Sequence, residues 1–147
     1  MIIDIVLLYG SGHGGVENVI TKVATGLKER GHRVRIFQST LPYYKDWAET
    51  FDEIYYFNEK DLWYNRNCFQ EYVNSYKTLL SKLGLPDIVL ATHYNLSSYL
   101  CKLALGDSKE KIPIISWIHG PAWVYEEENL LNYSDAHLAY YLKMEHV

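Results

Sequence analysis

Cysteine, positive charge and long apolar runs are all scarce in this sequence. The only two cysteines, Cys68 and Cys101, fit neither a metal site nor a disulfide framework, so a reducing, cytoplasmic setting is expected. The net charge of −4 argues against a nucleic-acid partner, because phosphates are bound by clustered Lys and Arg. The apolar run 2–8 is interrupted by Asp4 and falls far short of the ~20 residues that span a bilayer. We therefore expect neither a signal peptide nor a membrane anchor at this end.

Apolar and aromatic residues are abundant by contrast. Hydrophobic residues make up 48% of the 147 positions, which is enough to build the core of one domain. There are fourteen tyrosines and four tryptophans, many of the tyrosines between positions 43 and 76. Aromatic rings on a surface bind sugars or partner proteins, but packing is their commoner use. The sequence predicts a single domain over residues 1–147.

Strand and helix patterns alternate along the chain. Residues 2–9 and 87–91 are nearly continuous apolar runs, which is typical of parallel strands covered on both faces. Apolar residues over 16–30 recur at helical spacing, and Gly31 follows as the residue that ends a helix. Further strands are predicted over 32–37, 53–57, 112–118 and 136–140, and further helices over 65–83 and 97–105. The alternation predicts βαβ units and hence an α/β fold, a Rossmann-like doubly wound parallel sheet.

Three loops that follow predicted strands carry residues able to bind a ligand. Ligands of doubly wound sheets bind beyond the carboxyl ends of the strands, where such loops gather. The first loop, residues 9–15, is rich in glycine and leads into a helix. Backbone N–H groups and the positive end of the helix dipole make such a turn suitable for phosphate. The second loop holds His93, and the third holds His119 and Trp123.

The glycine turn also matches a nucleotide-binding motif. Gly10, Gly12 and Gly15 have the G-x-G-x-x-G spacing of dinucleotide-binding proteins. That motif needs an acidic residue at the end of the second strand to hold a ribose hydroxyl, and residues 37–40 read Phe-Gln-Ser-Thr. A Walker-type phosphate loop is disfavoured because neither Lys-Ser nor Lys-Thr follows the glycines. A nicotinamide-dependent enzyme is therefore a less favoured alternative.

A different set of motifs accounts for more of the chain. Residues 14–17 (Gly-Gly-Val-Glu) and 30–34 (Arg-Gly-His-Arg-Val) flank the first helix, and residues 86–89 read Pro-Asp-Ile-Val. Residues 113–120 form a strand that ends in His-Gly, and residues 136–139 read Ala-His-Leu-Ala. In this order the motifs resemble the N-terminal domain of GT-B glycosyltransferases of family 4. Within that family, the chain is similar to bacterial lipopolysaccharide 1,6-galactosyltransferases.

The resemblance implies a retaining glycosyltransferase that uses a nucleotide diphosphate sugar, a UDP-hexose, without a metal or other cofactor. Its acceptor would be a glycan or glycolipid of the cell surface. This chain would be the acceptor-side half of the GT-B fold, and the C-terminal donor-binding domain would be its partner. The isolated domain would then be inactive. The expected location is the cytoplasm, with peripheral contact at the inner face of the membrane.

The resemblance also assigns roles to individual residues. The backbone of Gly14 and Gly15 would approach the donor pyrophosphate, and His119 would be the catalytic side chain beside the reacting sugar. Glu17, His93 and Trp123 would contact the acceptor. Each has a structural alternative: Glu17 as an acid favoured by the helix dipole, His93 as a residue that merely closes a turn, and Trp123 as a residue that packs. The alternative for the whole chain is a non-catalytic sugar- or nucleotide-binding module of the same fold.

Overall fold

The computed structural model describes residues 1–8, 14–39, 50–51, 53–57, 69–93 and 95–118. The strands of this part are β1 (Ile2–Val6), β2 (Arg33–Gln38), β3 (Glu53–Tyr56), β4 (Ile88–His93) and β5 (Ile114–Ile118). The helices are α1 (Gly15–Glu29), α2 (Phe69–Leu83) and α3 (Asn95–Leu105), and a 3-10 turn (Gly106–Glu110) follows α3. The strands form one parallel sheet in the order β3-β2-β1-β4-β5. The predicted Rossmann-like doubly wound α/β fold is confirmed.

The element boundaries differ from the predicted ones mainly beside the carboxyl edge of the sheet. β4 continues two residues past the predicted end, because Thr92 and His93 still pair with β5. β1 ends earlier, at Val6, although Leu7 and Leu8 remain buried. α3 begins at Asn95, two residues before the predicted start. The predicted strand 136–140 and the predicted helical residues 65–68 lie outside the described residues.

The end of α1 follows directly from its sequence. Gly31 has a φ of 79°, in the left-handed region that favours glycine. Its N–H donates to the carbonyl oxygen of Lys28 at 2.8 Å, and the N–H of His32 donates to that of Leu27 at 3.1 Å. These two bonds form a Schellman motif, so Gly31 ends the helix as predicted.

The sheet is covered on both faces, as its apolar strands predict. α1 covers one face through a cluster of buried side chains, which are Ile5, Leu7, Ile20, Ala24, Val34, Ile36 and Phe51. α2 and α3 cover the other through a larger cluster that includes Val6, Phe37, Phe57, Tyr72, Tyr76, Ala91, Leu100 and Cys101. Rings pack on one another in this second cluster, with the centroids of Phe37 and Tyr76 4.8 Å apart. These aromatic residues serve packing, as the commoner use predicts.

The acid that interrupts the first apolar run belongs to a buried polar network. Asp4 accepts hydrogen bonds from the guanidinium of Arg35 and, at 2.8 Å, from the hydroxyl of Tyr76. Burial raises the pKa of Asp4, and the bonds from Arg35 act in the opposite direction. Arg35 also donates to the carbonyl oxygens of Leu83 and Gly84. The network thus fastens the C-terminal end of α2 to the two central strands, away from the carboxyl edge of the sheet.

Candidate functional site

The sheet has its topological switch point between the neighbouring strands β1 and β4. The helix after β1 packs on one face of the sheet and the helix after β4 packs on the opposite face. In open α/β sheets, helices that leave neighbouring strands in this way form a crevice beyond the carboxyl ends of those strands. Ligands of open α/β sheets bind in such a crevice. Gly14 and Gly15, at the start of the helix that follows β1, and His93, the last residue of β4, both belong to this place.

Gly14 and Gly15 form the start of α1, and neither residue has a side chain. Gly14 is the N-cap of α1, with extended backbone, and its carbonyl oxygen accepts from the N–H of Asn18 at 3.2 Å. No side chain of Gly14 caps the helix. A Cβ added to Gly15 would meet nothing within 4 Å, so the space beside Gly15 is open. A ligand can approach the backbone there, and the first-turn N–H groups of a helix lack partners within the helix.

Glu17 folds back over the start of its own helix. A Cβ added to Gly14 would lie 2.6 Å from Oε2 of Glu17, so the carboxylate occupies the space that a larger residue at position 14 would need. Glu17 is the third residue of α1, which is where the acid of a capping box stands. The helix dipole also favours a negative charge there. The geometry thus accounts for Glu17 structurally, and its contact with an acceptor stays a prediction.

The end of β4 and the first turn of α3 each carry a polar residue that the sequence did not single out. Thr92 and Ser97 are both fully buried. Oγ1 of Thr92 donates to the carbonyl oxygen of Val6 at 3.2 Å, and Oγ of Ser97 donates to the carbonyl oxygen of Thr92 at 2.8 Å. A hydroxyl residue inside an apolar strand, followed by a serine in the first turn of the next helix, is the sequence signal that could have indicated them.

The other predicted site residues are placed only in part. His93 ends β4 opposite Ile118, and its side chain lies outside the described part of the chain. His119 and Trp123 lie outside the described residues, although His119 directly follows the end of β5 in the sequence. The structure thus pairs β1, which precedes Gly14 and Gly15 in the chain, with β4, which ends at His93. The roles given to all these residues stay predictions.

The end of β2 bears on the dinucleotide alternative. Gln38 and Ser39 are both buried at the position where that alternative requires an exposed acid for a ribose. Gly10 and Gly12 of its motif lie outside the described residues. The end of β2 therefore gives a dinucleotide no acidic anchor.

Two further features of the described residues concern metals and membranes. No three His, Cys, Asp or Glu residues of this part come together in a group that could hold a metal ion. The prediction that no metal is needed is not tested by this. Within the same ranges, no helix has the length and apolar character needed to cross a membrane.

The geometry defines a Rossmann-like α/β domain with open space beside Gly15, at the helix start that follows β1 at the switch point. Residues 13–145 match the family described as Glycosyltransferase Family 4, which is 133 of the 147 positions. The chain belongs to this family. No curated protein matches the chain. The five-stranded parallel sheet is consistent with the N-terminal half of the GT-B fold that the resemblance predicts.

Proposed function

We propose that this chain is the acceptor-side domain of a retaining glycosyltransferase. The enzyme transfers a hexose from a nucleotide diphosphate sugar, a UDP-hexose, to a glycan or glycolipid acceptor of the cell surface. The observation that carries the proposal is the open space beside Gly15 at the start of α1, the helix that follows β1 at the switch point of a family 4 domain. The hexose and the cell-surface acceptor come from the motif resemblance to lipopolysaccharide 1,6-galactosyltransferases, to which the family match does not extend.

The glycine turn stabilises the leaving group in this mechanism. As the bond between the sugar and the diphosphate breaks, negative charge builds up on the diphosphate. Backbone N–H groups at Gly14 and Gly15 and the positive end of the α1 dipole lie where they can stabilise that charge. Because the space beside Gly15 is open, a diphosphate held by another domain reaches the backbone of Gly15, whereas the carboxylate of Glu17 lies beside Gly14.

The remaining groups act on the sugars. His119 hydrogen-bonds the reacting hexose as the catalytic side chain, since a neutral imidazole both donates and accepts. Glu17 accepts a hydrogen bond from an acceptor hydroxyl, and His93 and Trp123 line the acceptor side. The nucleotide is held by a C-terminal donor domain, without which the present domain is inactive. No metal takes part, and the enzyme works in the cytoplasm with peripheral contact at the inner face of the membrane.

The test is sugar transfer by the full-length protein. It is incubated with a panel of nucleotide sugars and with glycolipid acceptors, and the product is analysed for linkage and anomeric configuration. We expect transfer from a UDP-hexose with retention, a severe loss in His119→Ala, and normal transfer in Lys22→Ala, an exposed position of α1. Absence of transfer from every donor together with tight binding of a nucleotide sugar would instead support the non-catalytic binding module.

A further inference from the structure

Thr92 joins the two connections that diverge at the switch point. It lies one residue before the end of β4 and is fully buried. Its Oγ1 donates to the carbonyl oxygen of Val6, the last residue of β1, at 3.2 Å. Its own carbonyl oxygen accepts from Oγ of Ser97, in the first turn of α3, at 2.8 Å. One residue therefore links the end of β1, the end of β4 and the start of α3.

The backbone around Val6 shows why a side-chain bond matters at this point. Beyond Val6, the N–H of Leu7 donates to the carbonyl oxygen of Phe37, on the side of β2. The chain therefore stays attached to β2 while Thr92 holds Val6 from the side of β4. This position is where the strand β1 ends and the chain leads toward the glycine turn.

The choice of residue is also informative. Valine has nearly the same shape as threonine and would suit a fully buried strand position, because a buried hydroxyl costs free energy unless it is hydrogen-bonded. Here the hydroxyl has its partner, and so does that of Ser97. The buried hydroxyls of Thr92 and Ser97 thus hydrogen-bond separate backbone segments to one another, in addition to filling space.

We propose that Thr92 is a positioning residue, which fixes the end of β1, from which the chain leads to Gly14, against the start of α3. This inference rests on the proposed function for its effect on catalysis. It acts through the backbone carbonyl of Val6 and, with Ser97, through the first turn of α3. Transfer depends on the placement of the diphosphate against the acceptor, and small misplacements in a site of this kind cost large factors in rate.

The experiment uses the full-length protein and compares two variants. Thr92→Val replaces the hydroxyl with a methyl group, and Thr92→Ser keeps the hydroxyl. Thr78→Val is the matched control, because Oγ1 of Thr78 donates to the carbonyl oxygen of Asn74 at 2.8 Å on the exposed side of α2. Amide hydrogen exchange without ligand is followed in peptides that cover residues 4–8, where the N–H of Leu7 is hydrogen-bonded to Phe37, and residues 97–103 of α3. The kcat and KM of sugar transfer are measured in parallel.

We expect Thr92→Val to speed exchange in both peptides by about tenfold and to leave that of α2 unchanged. The kcat should fall by about tenfold or more with KM for donor nearly constant. Thr92→Ser should keep the exchange rates and the kcat close to those of the wild type. Thr78→Val should also resemble the wild type. Unchanged exchange in Thr92→Val, or equal losses in the valine and serine variants, would overturn the inference. If Thr92→Val does not fold, Ser97→Ala provides the same comparison at the other bond.

A failure of the proposed function is distinguishable from a failure of this inference. If the wild type transfers no sugar, the proposed function is wrong, but the exchange measurement still decides whether Thr92 fixes the two segments. If the wild type transfers sugar and Thr92→Val behaves like it in both measurements, only the positioning role is wrong.

Discussion

Arg35 binds both carboxylate oxygens of Asp4 inside the protein, with Nε 2.6 Å from Oδ1 and Nη2 3.0 Å from Oδ2. Neither side chain is exposed, and the hydroxyl of Tyr76 provides Asp4 with a third donor. A fully buried bidentate ion pair stabilises a protein no more than well-packed apolar side chains of similar volume would. Removing one partner is nevertheless costly, because the remaining buried charge then has no counter-charge.

Loss of the Asp4 charge should therefore destabilise the fold strongly. We expect Asp4→Asn to lower the free energy of unfolding by about 3–5 kcal/mol, since Arg35 remains buried without its counter-charge. Urea unfolding followed by circular dichroism measures this. The double variant Asp4→Leu, Arg35→Met removes both charges and should recover most of the loss. An Asp4→Asn variant as stable as the wild type would show that loss of the Asp4 charge does not destabilise the fold.

A second ion pair, between Arg33 and Glu53, makes a prediction about pH. The hydrogen bond from Arg33 lowers the pKa of Glu53 below the usual value of a glutamate side chain. A lowered carboxyl pKa means that Glu53 contributes stability above its unfolded pKa and that this contribution is lost as the pH falls through its folded pKa. We expect Glu53→Gln to lose less stability than the wild type between about pH 6 and pH 3.

The measurement for Glu53 is a series of urea unfolding curves across that range. Glu29→Gln, at the exposed end of α1, controls for the loss of one negative charge. If the free energy of unfolding depends on pH in the same way in Glu53→Gln and in the wild type, Glu53 is not the source of the pH dependence. Because Arg33 is an exposed residue, the effect should also shrink in high salt.

Much of the fold could be predicted because each element has a local signal. The apolar run of β1 and the helical spacing of α1 are repeated patterns, and Gly31 has one conformation that ends the helix. The Asp4 network had no such signal. Its members come from β1, β2 and α2, and only the packed structure shows that Arg35 and Tyr76 reach the same carboxylate.

The site was predictable to a smaller extent. The glycine turn and the strand ends follow from the order of the elements, which is why Gly14, Gly15 and His93 fall at one edge. The bonds of Thr92 could not be predicted, because they depend on which strands are neighbours. Val6 and Thr92 are 86 residues apart in the sequence and meet only because β1 and β4 are paired.

Glu17 offers a test that separates its two roles. As an acid in the first turn of α1, it should stabilise the helix by about 0.3–1 kcal/mol, and Glu17→Ala should lose that amount. If Glu17 also accepts from an acceptor hydroxyl, Glu17→Ala should raise the acceptor KM several-fold. The donor KM should stay constant or fall, because a negative charge beside the diphosphate is removed. Steady-state kinetics with each substrate varied in turn measure both constants.

The amide variant sharpens the comparison for Glu17. Glutamine also serves as the third residue of a capping box and keeps an acceptor oxygen. Glu17→Gln should therefore keep most of the acceptor KM and lose less stability than Glu17→Ala, namely the part that depends on the charge. An alanine variant that changes stability but neither KM would leave Glu17 with its structural role alone.

The two glycines of the turn should respond differently to alanine. At Gly15 the added methyl group meets nothing within 4 Å, and alanine favours a helix more than glycine, so Gly15→Ala should be as stable as the wild type or up to about 1 kcal/mol more stable. At Gly14 the methyl group displaces the carboxylate of Glu17, so a small loss is expected. If a diphosphate approaches the backbone here, Gly15→Ala should lower kcat/KM for the donor despite its intact fold. Thermal unfolding and donor kinetics on the same preparations give both quantities, and a Gly15→Ala enzyme with normal donor kinetics would place the diphosphate elsewhere.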